Sequence, residues 1–353
     1  MEVLVIYQFC SFGGVERVIL NRAKALKKKG QSVHITVCYL KDYGALQSFQ
    51  EYIRQNSLSD LVSAFLLDAA TLLDIKKYDL VLNIDTPQLF EQTRDARNLF
   101  VECHTPYTPN RQYLMKLPPN VGGILVPTFA FKNILLDEFI NLPPITVMPN
   151  PVSEEFFSIP FETNTIYPMR PLAYLARLDE LKNYAEALDV FELFSEDESV
   201  MFAIVGRATT LTQRRLLTLL RRKGIVEKTF VRHEIGFGAV PDFIGLIKSH
   251  RGIFISPSLG ESFGLSAAEF MSAGVPVVLS NISVHRELVN EDERLLYKTG
   301  DAASAKDKVT KILADWGGTS DRVSGYAKKF SGEAFLSSWR ELVMKYDISS
   351  GAR

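Results

Sequence analysis

Two glutamates eight residues apart, Glu261 and Glu269, lie in the stretch Ser256-Pro257-Ser258-Leu259-Gly260-Glu261-Ser262-Phe263-Gly264-Leu265-Ser266-Ala267-Ala268-Glu269-Phe270-Met271. The apolar run Gly252–Ile255 before it reads as a buried strand. Ala273-Gly274-Val275-Pro276-Val277-Val278-Leu279 after it reads as a helix stop and a further strand. A helix turns about 100° per residue, so two helical positions eight apart would lie within roughly 80° of each other. Here Glu261 is expected at or before the helix start, and Glu269 about a turn or more inside. Carboxylates accept hydrogen bonds from vicinal hydroxyls, and the N–H groups of a helix start donate to phosphate or sugar oxygens. Such a junction suits a molecule that carries both diols and phosphate, as a sugar nucleotide does. The same residues also fit a plainer role, with Glu261 as a helix-start charge and Glu269 as an exposed helix residue.

Other side chains of chemical interest lie at strand ends. Ser11-Phe12-Gly13-Gly14 follows an apolar strand over residues 2–7 and precedes a helical pattern through Val18, Leu20, Ala23 and Leu26. Paired glycines at such a turn let backbone N–H groups approach an anion, although a tight turn without ligand fits as well. The dinucleotide pattern Gly-x-Gly-x-x-Gly is absent at this turn. Asp85 and His104 each end an apolar run, and ligands of parallel α/β sheets bind beyond the carboxyl ends of the strands. Arg177 and Lys182 flank Leu178-Asp179-Glu180-Leu181 in a loop between a strand and a helix; they fit either an anion site or a solvated surface screened by Asp179 and Glu180.

The elements that position these residues alternate strand and helix through both halves of the chain, which implies parallel sheets. With 353 residues, two domains are expected. Residues 1–152 read as one Rossmann-like domain, 153–170 as a linker carrying Pro160 and Pro168, 171–330 as a second Rossmann-like domain, and 331–353 as a C-terminal helix with Phe335, Leu336, Trp339 and Leu342 on one face. A hydrophobic content of 46% with 23% charged residues describes a globular protein, and a net charge of −1 gives no global field towards nucleic acid. Three scattered cysteines, Cys10, Cys38 and Cys103, suit neither a disulfide framework nor a zinc site. No leader pattern or bilayer-length apolar run is read, so the cytosol is the expected compartment. Lys24, Lys27, Lys28 and Lys29 cluster on the first helix, as a solvated helix end or as a peripheral contact with the inner face of a membrane.

The Ser256–Leu279 stretch resembles the E-x7-E signature of retaining glycosyltransferases with the GT-B fold, family 4 in particular, typically P-S-x-x-E-x-F-G-x-x-x-x-E-A-M-x-x-G-x-P-V-V. Phe270 departs from it, since the family prefers Ala there, and local repacking is expected. The resemblance implies two Rossmann-like domains facing an interdomain cleft, with the last helix crossing back to the first domain. It implies a retaining transfer of a sugar from a UDP- or GDP-linked donor to a hydroxyl of a glycan or glycolipid, with no cofactor and no metal; Asp-x-Asp is absent from the chain. Alternatives are a small-molecule acceptor, or a non-catalytic subunit that binds sugar nucleotides.

In roles implied by the resemblance, Glu261 holds hydroxyls of the transferred sugar, with backbone N–H groups near Phe263, Gly264 and Leu265 around sugar and phosphate. Glu269 holds the ribose diol. Arg177 and Lys182, in a segment similar to G-R-L-x-x-x-K with Ala176 replacing Gly, neutralise the diphosphate. Gly13 and Gly14 face the diphosphate from the first domain, and His104 faces the donor sugar. Gly206-Arg207-Ala208 stands where the family often has Gly-x-Gly. Tyr107, Asn110, Arg111, Tyr113 and Lys116 follow His104 in a loop that fits either an acceptor or plain solvent. No nucleophile is nominated; Asp85 is a weak candidate for the acceptor side.

Overall fold

A computed structural model describes residues 1–68, 72–162 and 169–348. The chain forms two compact units, Met1–Pro151 together with Phe330–Arg353, and Val152–Lys329.

The first unit is built on a parallel sheet of β1 (Glu2–Cys10), β2 (His34–Asp42), β3 (Val62–Leu66), β4 (Leu80–Ile84), β5 (Leu99–Glu102), β6 (Val121–Val126) and β7 (Ile145–Val147), in the order β3-β2-β1-β4-β5-β6-β7. β1 and β4 pair through Val3 with Leu80 and Tyr7 with Ile84. Val3, Leu4, Leu80 and Val81 are almost fully buried, as expected for central strands covered on both faces. Leu4, Ile6, Cys38, Tyr78, Val81 and Leu99 belong to one core cluster. All three cysteines are free and buried.

The helix Gly332–Lys345 belongs to this first unit, with Phe335, Leu336, Trp339 and Leu342 buried. It packs on the helix Gly14–Lys28. Glu333 pairs with Lys29 at 2.8 Å, and the Arg22 guanidinium lies 5.5 Å from the centre of the Phe335 ring. Just beyond the helix, the Tyr346 hydroxyl donates to the Gly122 carbonyl at 2.9 Å. Lys27 pairs with Asp60 at 3.0 Å, so the basic cluster of the first helix is in part a network of surface ion pairs.

The second unit holds β8 (Arg170–Leu175), β9 (Val200–Val205), β10 (Thr229–Arg232), β11 (Ile253–Ser256), β12 (Val277–Ser280) and β13 (Leu296–Tyr297), parallel and in the order β10-β9-β8-β11-β12-β13. In both sheets the strand order reverses beside the first strand, between β1 and β4 and between β8 and β11, the position where open α/β sheets bind ligands. Gly206 is required where β9 ends: a Cβ there would lie 1.9 Å from the Ala176 carbonyl oxygen.

The expected linker 153–170 contains ordered structure. Glu154–Phe157 is a short helix packed against the helix Leu265–Ser272. Phe156 is 1% exposed, and Phe161 stacks on Trp316 at 5.4 Å. These aromatics give the segment apolar anchors that its irregular pattern and prolines hide; Pro168 lies outside the described residues. Among the described residues no helix is long and apolar enough to cross a membrane.

Candidate active site

The second unit brings the Arg177–Lys182 loop against the signature stretch because β8 and β11 are neighbours. Two hydrogen bonds fix the approach: Leu259 N–H donates to the Leu181 carbonyl at 2.8 Å, and Asn183 Nδ2 donates to the Pro257 carbonyl at 3.2 Å. The Tyr174 hydroxyl donates to the Arg177 carbonyl at 2.9 Å and braces the loop from below. Lys182 Nζ thereby reaches Glu261 Oε1 at 2.6 Å, and the Ser258 hydroxyl donates to the same oxygen at 2.8 Å. Among the described residues no partner falls on Glu261 Oε2. Burial opposes ionisation of Glu261, but Lys182 outweighs it and holds the carboxyl below the usual range.

Glu261 precedes the helix Leu265–Ser272, whose N-cap is Gly264, and Glu269 lies inside it. The spacing expected from sequence is thus realised, but Glu269 is 2% exposed and not a surface residue. Gly264 adopts φ +83°, and a Cβ there would lie 2.8 Å from Leu288 Cδ1, so both backbone and packing demand glycine. Phe263 is buried and Leu265 opens the helix. Phe270 is fully buried, stacked on Phe254 at 4.3 Å and edge-on to Phe243 at 6.4 Å. The repacking expected at this position is therefore an aromatic cluster on the side of the helix that faces the sheet. Arg177 is 60% exposed at its side chain and pairs with Asp179 at 3.3 Å.

In the first unit Asp85 and His104 meet at the ends of neighbouring strands β4 and β5. His104 N–H donates to Asp85 Oδ2 at 3.0 Å, and the Tyr113 hydroxyl donates to Oδ1 at 2.7 Å. Burial raises the pKa of Asp85 in spite of these partners. His104 Nε2 lies 2.8 Å from Glu102 Oε2, and Arg22 Nη1 donates to both Glu102 oxygens at 2.8 and 3.0 Å. Burial alone would raise the Glu102 carboxyl; Arg22 and His104 instead hold it at about 2. Arg22 continues to Asn150 Oδ1 at 3.2 Å. Of the loop after His104, Tyr113 is engaged by Asp85, and Arg111 is buried and paired with Glu138.

The Gly13-Gly14 turn is tied to the helix that it opens. Gly13 N–H donates to Glu16 Oε2 at 2.8 Å and Ser11 N–H to Glu16 Oε1 at 3.2 Å. Glu16 is fully buried. A carboxylate three residues into the helix thus takes the Gly13 donor expected for a diphosphate, as in a capping box.

Five site side chains escaped notice in the sequence. Glu16 was detectable as an acid at the third helical position, and Glu102 as the residue two before His104, on the same side of an extended chain. Arg22, Ser258 and His285 depend on partners brought close by the fold, and no local pattern marks their roles.

Residues 162–330 match the family model for glycosyl transferases group 1. This segment is similar to the group 1 glycosyl transferases. Sucrose-phosphate synthase 1 of Arabidopsis thaliana is 27% identical over 150 residues, 41% of this chain, and the matched part spans only 13% of that relative's length. Among solved structures, Anabaena Alr3699/HepE in complex with UDP and glucose aligns over 98% of this chain and 100% of its own, at 15% identity and a TM-score of 0.77. Sucrose-phosphate synthase from Thermosynechococcus elongatus aligns over 99% and 100%, at 15% identity and a TM-score of 0.74. The two units thus share the GT-B fold of two Rossmann-like domains.

Proposed function

We propose that the chain is a retaining, metal-independent glycosyltransferase that moves a sugar from a UDP- or GDP-linked donor to a hydroxyl of a glycan or lipid-linked glycan. The observation that carries this is the one-sided anchoring of Glu261: Lys182 and Ser258 both bind Oε1, and Oε2 is left to accept from a sugar hydroxyl. The leaving nucleoside diphosphate gains negative charge as the glycosidic bond breaks, and fixed cations stabilise it most in the transition state. Arg177, exposed beside the site, and Lys182 supply those cations. The start of the helix Leu265–Ser272 adds backbone donors. Each charge-assisted hydrogen bond contributes on the order of 1.5–3 kcal/mol, so the chain's own groups supply several kcal/mol.

Glu269 is assigned to the ribose diol, His104 to the donor sugar, and the Gly13-Gly14 turn to the diphosphate, all on the resemblance; with the Gly13 N–H bonded to Glu16, the contact falls to Gly14. Glu102 fixes one ring nitrogen of His104 and leaves Nδ1 for the sugar. The acceptor oxygen attacks the face from which the diphosphate leaves, with a donor phosphate oxygen taking its proton; no enzymic nucleophile is assigned. The UDP of the Anabaena structure makes uridine donors the first to try.

A thermal-shift screen of UDP, GDP and their sugars identifies the donor, since a ligand of the native state raises apparent stability. Turnover of that donor is expected to fall at least 100-fold in Glu261→Ala and Lys182→Ala with folding retained, and to be unchanged by EDTA. Donor binding with no turnover on any acceptor would instead mark a binding subunit. Full activity in Glu269→Ala would overturn the ribose assignment.

A further inference from the structure

His285 lies in the helix Ser283–Leu288, just after β12, and is completely buried. Its Nδ1 is 2.9 Å from the Ser280 carbonyl oxygen and 3.1 Å from the Ser280 hydroxyl. A carbonyl only accepts, so Nδ1 carries the proton and Nε2 is a bare acceptor. Nε2 has no hydrogen-bond partner among the described residues, and it faces Gly264, where a Cβ would come within 3.9 Å of it. A buried imidazole with one idle nitrogen is expensive to keep. Its other nitrogen explains why it is there.

Ser280, oriented by His285, donates its hydroxyl to the Ser258 carbonyl at 2.5 Å. Ser258 in turn donates its own hydroxyl to Glu261 Oε1 at 2.8 Å. We propose that His285 is a positioning residue that fixes Glu261 through Ser280 and Ser258, so that Oε2 is aimed at the ligand. Lys182 holds Glu261 by charge, from the β8 side; the histidine and serines hold it by direction, from the β11 and β12 ends. An ion pair tolerates several geometries, whereas a hydroxyl held at both ends selects one. The inference rests on the assignment of Glu261 to the transferred sugar.

The test is a double-mutant cycle on the full chain. Turnover and UDP affinity are measured for Glu261→Ala, Ser258→Ala, His285→Leu and His285→Asn, and for Ser258→Ala and His285→Leu combined with Glu261→Ala. The donor is whichever of UDP-glucose, UDP-N-acetylglucosamine and GDP-mannose turns over fastest, with the parent nucleotide as the binding probe. Ser258→Ala and His285→Leu are expected to lower kcat about 10-fold and to change nucleotide affinity less than twofold. His285→Asn, whose amide N–H occupies the place of Nδ1, should stay within threefold of the parent. In the Glu261→Ala background the same substitutions should have no further effect. Full activity in Ser258→Ala, or losses that multiply in the double variants, would overturn the proposal. Full activity in Glu261→Ala would instead overturn the sugar assignment on which it rests. If no donor turns over, the cycle is read in urea midpoints of Glu261→Gln and His285→Leu: non-additive shifts support the relay, and additive ones overturn it.

Discussion

Lys182 Nζ lies 2.6 Å from Glu261 Oε1, and both side chains are more than four-fifths buried. Removing one partner of such a pair leaves an uncompensated charge in a poorly solvated place, which costs about 3–5 kcal/mol. Lys182→Met should therefore lower the urea midpoint by that equivalent, and Glu261→Gln added to it should recover part of the loss. The acid limb gives a second readout. Glu261 is held below its ordinary 4.5, so its contribution is complete above that pH and is lost as pH falls through the folded value. Lys182→Met should flatten that part of the stability curve.

Arg22 and Glu102 make a second buried pair, with His104 as third member. The folded carboxyl sits at about 2 against an ordinary 4.5, so the stabilisation is full above about pH 5 and disappears as pH falls from 4.5 towards 2. At about 1.4 kcal/mol per pKa unit this is on the order of 3 kcal/mol. Glu102→Gln should remove most of this acid dependence between pH 5 and 2. Arg22→Met should destabilise at pH 7 more than at pH 3, because only the charged carboxylate misses its partner.

Two glycines of the second unit separate steric need from sequence habit. Gly206→Ala would drive a Cβ to 1.9 Å from the Ala176 carbonyl oxygen, a backbone atom that cannot turn aside. A loss of about 3 kcal/mol or more, or failure to accumulate folded protein, is expected. Gly236 has φ −56° and nothing within 4 Å of a built Cβ, so Gly236→Ala should be neutral or stabilise by up to about 1 kcal/mol in thermal melts.

Phe270→Ala would restore the residue usual in the resembling signature, yet it should harm this chain. It empties a site stacked on Phe254 and edge-on to Phe243. A loss of about 3–5 kcal/mol is expected in urea unfolding, with nucleotide affinity little changed in the variant that remains folded.

Much of this architecture was legible in the chain because it rests on local signals. Apolar runs marked the central strands, and the spacing of Glu261 and Glu269 placed one before a helix and one inside it. The buried face of Phe335, Leu336, Trp339 and Leu342 was evident from periodicity alone. Illegible were contacts whose partners lie far apart in sequence: Arg22 with Glu102, Lys182 with Glu261, Ser280 with Ser258. At the glycine turn, the Ser11 and Gly13 donors are bonded to Glu16 from within the same helix, a contact that the paired glycines alone do not announce. In the segment 153–170, prolines conceal single aromatic anchors such as Phe156.

The first unit is completed by a helix made about 300 residues after the one it covers, since Gly332–Lys345 packs on Gly14–Lys28. At ribosomal speeds of about 5–20 residues per second, the early helix waits roughly 15–60 s for its cover. The second unit is continuous and is finished first. During synthesis, the face of Gly14–Lys28 that this helix covers therefore stays open until the chain is almost complete.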